Sequence, residues 1–260
     1  MNEVRDEAEE IGEGVEGTAE VTASSNGAAH ESPRRRRESR RLLRAEVYYA
    51  AALAAFAVLA VLAHAYAYFA WDLRLARAVQ SVNSTAWAAF MEWASVFGNR
   101  WTPHAITVAT ALLFFAWRRR SEAFGLALSA GGGAILSNVF KLLVARPRPA
   151  AELVGFAYRS RETSFPSGHV VFYVCYFGFL FFVAYALLPR RSLRRRAALA
   201  LAALPVLVVG LSRVYLRAHW PSDVLGAYLL SGVWLGFSLA MYRRWKRRAT
   251  FHTEEESDEV

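Results

Sequence analysis

Along the chain, long apolar stretches alternate with short polar ones. Six of them read as membrane-crossing helices, for which about 17–25 residues are needed. They run from Val47 to Trp71, Thr102 to Trp117, Ala123 to Val144, Val170 to Leu188, Ala197 to Ser212 and Val224 to Tyr242. The second and fifth are short, and Pro205 should bend the fifth, so neighbouring helices must satisfy the carbonyl it frees. The pattern predicts an all-α fold, an integral membrane bundle of six transmembrane helices over residues 47–243. Residues 1–46, acidic then basic, and residues 244–260 read as cytoplasmic tails. Residues 1–33 and 249–260 have few large apolar groups to offset the entropy of ordering and are expected to be disordered. From Leu73 to Arg100, Trp87, Phe90, Trp93 and Phe97 recur at rough helical spacing among charges. That segment reads as a helix in the outer headgroup layer or as a plain loop.

Small residues point to close helix packing: Gly131, Gly132 and Gly133 in the third span, and Gly232 and Gly236 in the sixth. Basic clusters fall at Arg34–Arg44, Arg118–Arg120, Arg190–Arg196 and Arg243–Arg248, all on one side of a six-span bundle. By the positive-inside rule that side is cytoplasmic, so both termini are expected inside and the opposite loops outside.

Composition sharpens this picture. Apolar residues make up 55% and aromatics 14%, high for a soluble chain. The net charge of +9 hides a segregation, because nine acids lie within residues 1–32 and five more close the chain from Glu254. The region 33–253 keeps 30 of the 31 Lys and Arg against eight acids, about +22. Those charges sit at the ends of apolar stretches and not along one polar face, which argues against nucleic acid as a partner. The lone Cys175 permits no disulfide within one chain, and the first apolar run is too long for a cleaved leader.

Three outer segments carry the chemistry. Lys141 is followed after six residues by Arg148 and Pro149; Pro166, Ser167, Gly168 and His169 open the fourth span; Ser212 and Arg213 precede His219 and then Asp223. Lys141, Arg148 and Arg213 are costly beside lipid unless they converge on a dianionic phosphoryl group. Ser167 is placed to cap its helix, and the N–H groups of Gly168 and His169 would face an anion at the positive helix end. Asp223, four residues after His219 in the first turn of a helix starting at Pro221, can reach back to the ring and set its tautomer. Taken alone, that pair is more often a structural hydrogen bond. His30, His64, His104 and His252 have no metal-ligand partner at sensible spacing. Arg146, Glu152, Arg159, Arg161 and Glu162 read as a solvated outer loop, and Asn138, one turn before Lys141, either orients that lysine or packs in the bundle.

On these three segments the sequence resembles the type 2 phosphatidic acid phosphatase superfamily, which includes glucose-6-phosphatase and the vanadium haloperoxidases. All 11 positions of that signature are matched, most closely over residues 140–225. The resemblance implies a metal-independent membrane hydrolase without cofactor. Its substrate would be a lipid phosphate or diphosphate: phosphatidic acid, phosphatidylglycerol phosphate or undecaprenyl diphosphate. It further implies His219 as nucleophile forming a phosphohistidine, Asp223 holding its ring, and His169 as general acid and base. Lys141, Arg148, Ser167, Gly168 and Arg213 would bind the phosphoryl oxygens. A plasma-membrane location with an extracytoplasmic site is expected; oligomeric state is left open. A lipid phosphotransferase and a vanadate-dependent haloperoxidase are the alternatives within the same resemblance.

Overall fold

A computed structural model of the chain describes residues 33–154 and 163–258. Two units are distinguished, Met1–Arg44 and Ala45–Val260. In the first, the described residues are the opening turns of helix α1 (Pro33–Ala65). Among the described residues the second unit contains the remainder of α1 and nine further helices: α2 (Ala70–Gln80), α3 (Thr85–Ala94), α4 (Thr102–Ala116), α5 (Arg120–Leu126), α6 (Gly132–Val144), α7 (Ala151–Val154), α8 (Gly168–Leu187), α9 (Leu193–Tyr215) and α10 (Pro221–Asp258). A 3-10 turn at Val96–Gly98 follows α3, and a π-helical segment at Ala127–Gly131 joins α5 to α6. There is no strand among the described residues.

Among the described residues, five stretches are long and apolar enough to cross a membrane: Glu46–Ala65, Arg120–Val144, Gly168–Leu187, Leu193–Tyr215 and Pro221–Arg248. The expected count of six is not reached, because α4 has 15 residues. At 1.5 Å per residue it extends about 22 Å, short of a hydrocarbon core of roughly 30 Å. The first span also ends at Ala65 and not at Trp71. The segment after it is not a plain loop but two short helices, α2 and α3, of which α3 carries Trp87, Phe90 and Trp93. The fifth span is longer than expected, since α9 passes through Pro205 without ending. Next to that proline the Tyr228 hydroxyl donates to the Val206 carbonyl at 2.6 Å. At the C-terminus, helix α10 continues to Asp258 where a disordered tail from residue 249 was expected. The expectation of disorder over residues 1–32 lies outside the described residues, as do Arg159, Arg161 and Glu162.

Helix α8 is apolar on every side because it is the centre of the bundle. It packs against α9, α10 and α6, and Val170, Val171, Tyr173, Cys175 and Phe179 are buried in the main core. The small residues permit this closeness: a Cβ on Gly133 would lie 2.7 Å from Cys175 Sγ, and one on Gly236 would overlap the Tyr49 ring. The π-helical segment is held by neighbours. Trp234 Nε1 donates to the carbonyls of Leu128 and Ser129 at 3.2 and 3.1 Å, and Ser129 Oγ donates to the Cys175 carbonyl at 2.8 Å. Such segments widen a helix locally, and this one forms part of a cavity wall.

Candidate active site

Helix α6 ends at Ala145, which adopts a left-handed conformation (φ 49°) and donates its N–H to the Lys141 carbonyl at 3.0 Å. The chain therefore turns sharply one turn beyond Lys141, and Arg146 and Arg148 go to different places. Thr163 Oγ1 also donates to the Lys141 carbonyl, at 3.0 Å, and the Ser164 N–H donates to the Arg146 carbonyl at 2.7 Å. These bonds lay the strand of loop before α8 along the end of α6. Helix α8 then begins at Gly168 with Ser167 as its N-cap residue.

A cavity of about 760 Å³ opens where these ends meet. Six of the eight expected site residues line it: Lys141, Arg148, Gly168, His169, Arg213 and His219. Arg213 is brought in at the C-terminal end of α9, where its Nη1 donates to Ser95 Oγ at 3.3 Å. Arg148 is held beside the nucleophile candidate, its Nη1 donating to the Ala218 carbonyl at 3.1 Å. A Cβ on Gly168 would lie 3.7 Å from Ser137 Oγ and 3.8 Å from Lys141 Nζ. The lysine thus reaches the start of α8, where unbonded helix N–H groups attract anions. Ser167 and Asp223 are fully buried. Ser167 does not cap its helix through its side chain: its Oγ makes no cap bond and has no hydrogen-bond partner among the described residues.

His219 is 2% exposed. Its Nδ1 lies 2.8 Å from the Ser164 carbonyl and 3.7 Å from Asp223 Oδ2. A carbonyl can only accept, so this contact puts the proton on Nδ1 and leaves Nε2 as the nitrogen for the cavity. The expected Asp223 contact is therefore indirect. Asp223 accepts from Ser164 Oγ, from the Trp220 N–H at 2.8 Å and from Arg146 Nη1 at 2.7 Å, and so fixes the loop whose carbonyl holds the ring. Burial, together with the cations of Arg148, Arg213 and Lys141, holds the His219 ring well below the ordinary histidine value, against the opposing pull of the Ser164 carbonyl. The ring is neutral at neutral pH and retains a nucleophilic lone pair.

His169, one residue into α8, places Nε2 2.9 Å from Asn99 Oδ1. The turn that carries Asn99 is pressed against the ring, since a Cβ on Gly98 would fall 2.2 Å from His169 Cδ2. Helix α3, just before this turn, is tied to the bundle by Tyr173 Oη to the Ala94 carbonyl at 2.8 Å and Ser212 Oγ to the Met91 carbonyl at 2.6 Å.

The reading of Arg146 as a solvated loop residue is overturned. It is 1% exposed, with Nη2 2.9 Å from Asp72 Oδ2 and Nη1 2.7 Å from Asp223 Oδ1. Glu152 is exposed as expected. Asn138 and His104 line the cavity, as does the buried Ser137, whose Oγ lacks a partner among the described residues. Helical spacing could have revealed Ser137, one turn before Lys141 on the same face. Asp72, Asn99 and Ser164 carried no such signal. Among the described residues no three His, Cys, Asp or Glu side chains are grouped to hold a metal ion.

Over 127 residues the chain is 32% identical to phosphatidylglycerophosphatase B of Bacillus subtilis (strain 168), a match covering 48% of this chain and 60% of that relative's length. The fold matches the crystal structure of a transmembrane PAP2 type phosphatidylglycerolphosphate phosphatase from Bacillus subtilis. There the TM-score is 0.63 at 24% identity, over 75% of this chain and 96% of that one. It also matches Aquifex aeolicus LpxE, with a TM-score of 0.51 at 22% identity, over 66% of this chain and 96% of that one. The PAP2 superfamily model matches residues 122–247, the stretch that contributes Lys141, Arg148, Ser167, Gly168, His169, Arg213, His219 and Asp223, and over that stretch this membrane chain is similar to the PAP2 superfamily.

Proposed function

We propose that the chain is a membrane phosphatase acting on a lipid phosphate or lipid diphosphate through a phosphohistidine. The observation that carries this reading is one cavity shared by three cationic side chains, His169 and a buried His219 whose Nδ1 is committed to the Ser164 carbonyl. In this reading His219 Nε2 forms a bond to phosphorus while the bond from phosphorus to the leaving oxygen breaks, and that oxygen takes a proton from His169. The imidazolium so formed keeps Nδ1–H on Ser164. Water then attacks the phosphohistidine, returns a proton to His169 and releases inorganic phosphate. Lys141, Arg148 and Arg213, with the hydroxyls of Ser167 and Ser137, hold the equatorial oxygens as charge builds on them. These cations supply the positive charge for which other phosphatases use a metal.

The apolar part of the cavity supports a lipid substrate. Val108, Ala127, Ala130 and Ala134 line it beside the polar residues, on helices that face lipid. The named Bacillus relative makes phosphatidylglycerol phosphate the first substrate to test, ahead of phosphatidic acid and undecaprenyl diphosphate. With α4 counted as a short sixth crossing, both termini lie in the cytoplasm and the site faces outward from the plasma membrane, where the four Arg clusters point. The test is phosphate release by purified protein from these three lipids, with His219→Ala as control. Release abolished by His219→Ala is expected. No release from any lipid, or release retained by His219→Ala, would sink the reading.

A further inference from the structure

Among the described residues outside the eight expected site residues, the most heavily bonded side chain near the site is Arg146. Its Nε donates to the carbonyls of Tyr66 and Ala67 at 3.3 and 3.1 Å, and its Nη1 donates to Ser222 Oγ at 2.6 Å and Asp223 Oδ1 at 2.7 Å. Nη2 pairs with Asp72 Oδ2 at 2.9 Å, and the guanidinium lies over the Phe69 ring, 4.9 Å from its centroid. Asp72, on α2, is 0% exposed and also accepts from Ser222 N and Ser222 Oγ at 2.8 and 2.7 Å. Ser222 and Asp223 form the first turn of α10, directly after His219 and Trp220.

We propose that Asp72 and Arg146 are positioning residues for His219, forming with Asp223 a buried charge chain that fixes the ring and opposes the positive charge it gains on attack. Two links reach the ring. Arg146 holds Asp223, Asp223 accepts the Ser164 hydroxyl, and the Ser164 carbonyl accepts the ring Nδ1–H. The Arg146 carbonyl also accepts the Ser164 N–H, so one arginine grips that loop through both backbone and side chain. The second link is charge. Arg146 alone would neutralise Asp223, leaving the imidazolium without a countercharge. Asp72 supplies a second carboxylate, so the three side chains together carry −1, one plus against two minus, where the ring becomes cationic. Breaking a buried pair strands its partner, so the chain acts as a unit.

This inference rests on the phosphatase reading, and wild-type phosphate release, measured first, tests that reading separately. With the wild type active, Asp72→Asn takes the trio to zero charge and Arg146→Gln takes it to −2, while the double variant returns it to −1. Each single variant is expected to lower kcat by about tenfold or more and leave KM within about threefold, because the phosphate-binding cations are untouched. The double variant is expected to be faster than Asp72→Asn alone, a recovery that simple loss of packing contacts would not produce. A double variant no faster than Asp72→Asn, or losses confined to KM, overturns the proposal. If these variants do not accumulate as folded protein, Ser164→Ala asks the same question by removing only the hydroxyl between Asp223 and the loop. Its kcat should fall about tenfold with KM retained, and a kcat within about threefold of wild type overturns the proposal.

Discussion

Gly98→Ala isolates the placement of His169 without touching any ionisable group. A Cβ at residue 98 would lie 2.2, 2.6 and 2.9 Å from Cδ2, Cγ and Nε2 of His169. Ordinary carbon contacts need about 3.5–4.0 Å, so the ring or the turn must move by roughly 1.4 Å. The crowded atoms include Cγ, at the root of the ring, so a small swing of the far edge does not relieve the overlap. The backbone of Gly98 itself does not demand glycine, as its φ is outside the left-handed region. Displacement of this size breaks the 2.9 Å contact to Asn99 and shifts the ring within the cavity. A misplacement near 1 Å costs about 10²-fold, and a general acid contributes about 10²–10⁴-fold, so kcat is expected to fall about 100-fold. The assay is phosphate release from a lipid phosphate and from p-nitrophenyl phosphate, whose leaving group needs no acid. The loss should be largely confined to the lipid. Gly232→Ala, where a Cβ meets nothing within 4 Å, is the control for an added methyl group. Activity within about threefold of wild type for Gly98→Ala, or equal losses on both substrates, would refute the assignment of His169 as the acid.

Other consequences are open to measurement. Because the folded His219 value lies below the unfolded one near 6.5, the unfolded chain binds the proton first as pH falls. Stability should therefore be fully present above about pH 6.5 and decline below it by about 1.4 kcal/mol per pH unit, visible in melting temperatures and flattened in His219→Gln. Gly131→Phe, at a cavity wall position with nothing within 4 Å of a Cβ, should raise KM for a long-chain lipid phosphate about tenfold while p-nitrophenyl phosphate is turned over as before. Turnover should survive EDTA and be inhibited by vanadate, which approaches the five-coordinate transition state, with His219→Ala weakening the inhibition. Loss of turnover in EDTA restored by Mg²⁺ would show that Lys141, Arg148 and Arg213 do not suffice.

Five of the spans and the residues that line the cavity were legible in the sequence because each rests on a local signal. A membrane helix must be apolar over a length set by the bilayer, and the long spans met that test; α4, at 15 residues, is where length alone leaves the count unsettled. The convergence of Lys141, Arg148, Gly168, His169, Arg213 and His219 followed from their positions at the ends of spans, where a bundle gathers residues distant in the chain. What holds them was not legible. Arg146 and Arg148 stand two residues apart, each followed by proline, yet one is buried between two carboxylates and the other lines the cavity. Local pattern gives them the same reading. Their separation is decided by the left-handed turn at Ala145 and by Asp72, a partner 74 residues away on another helix. Likewise Ser164, and not Asp223, became the direct partner of His219, because the loop before α8 lies against the start of α10 only once the bundle is packed. Sequence determined which groups can do the chemistry, since that depends on residue type and on chain length between hydrophobic spans. Tertiary structure alone decided which charge meets which, because buried ion pairs form between elements whose proximity no local periodicity records.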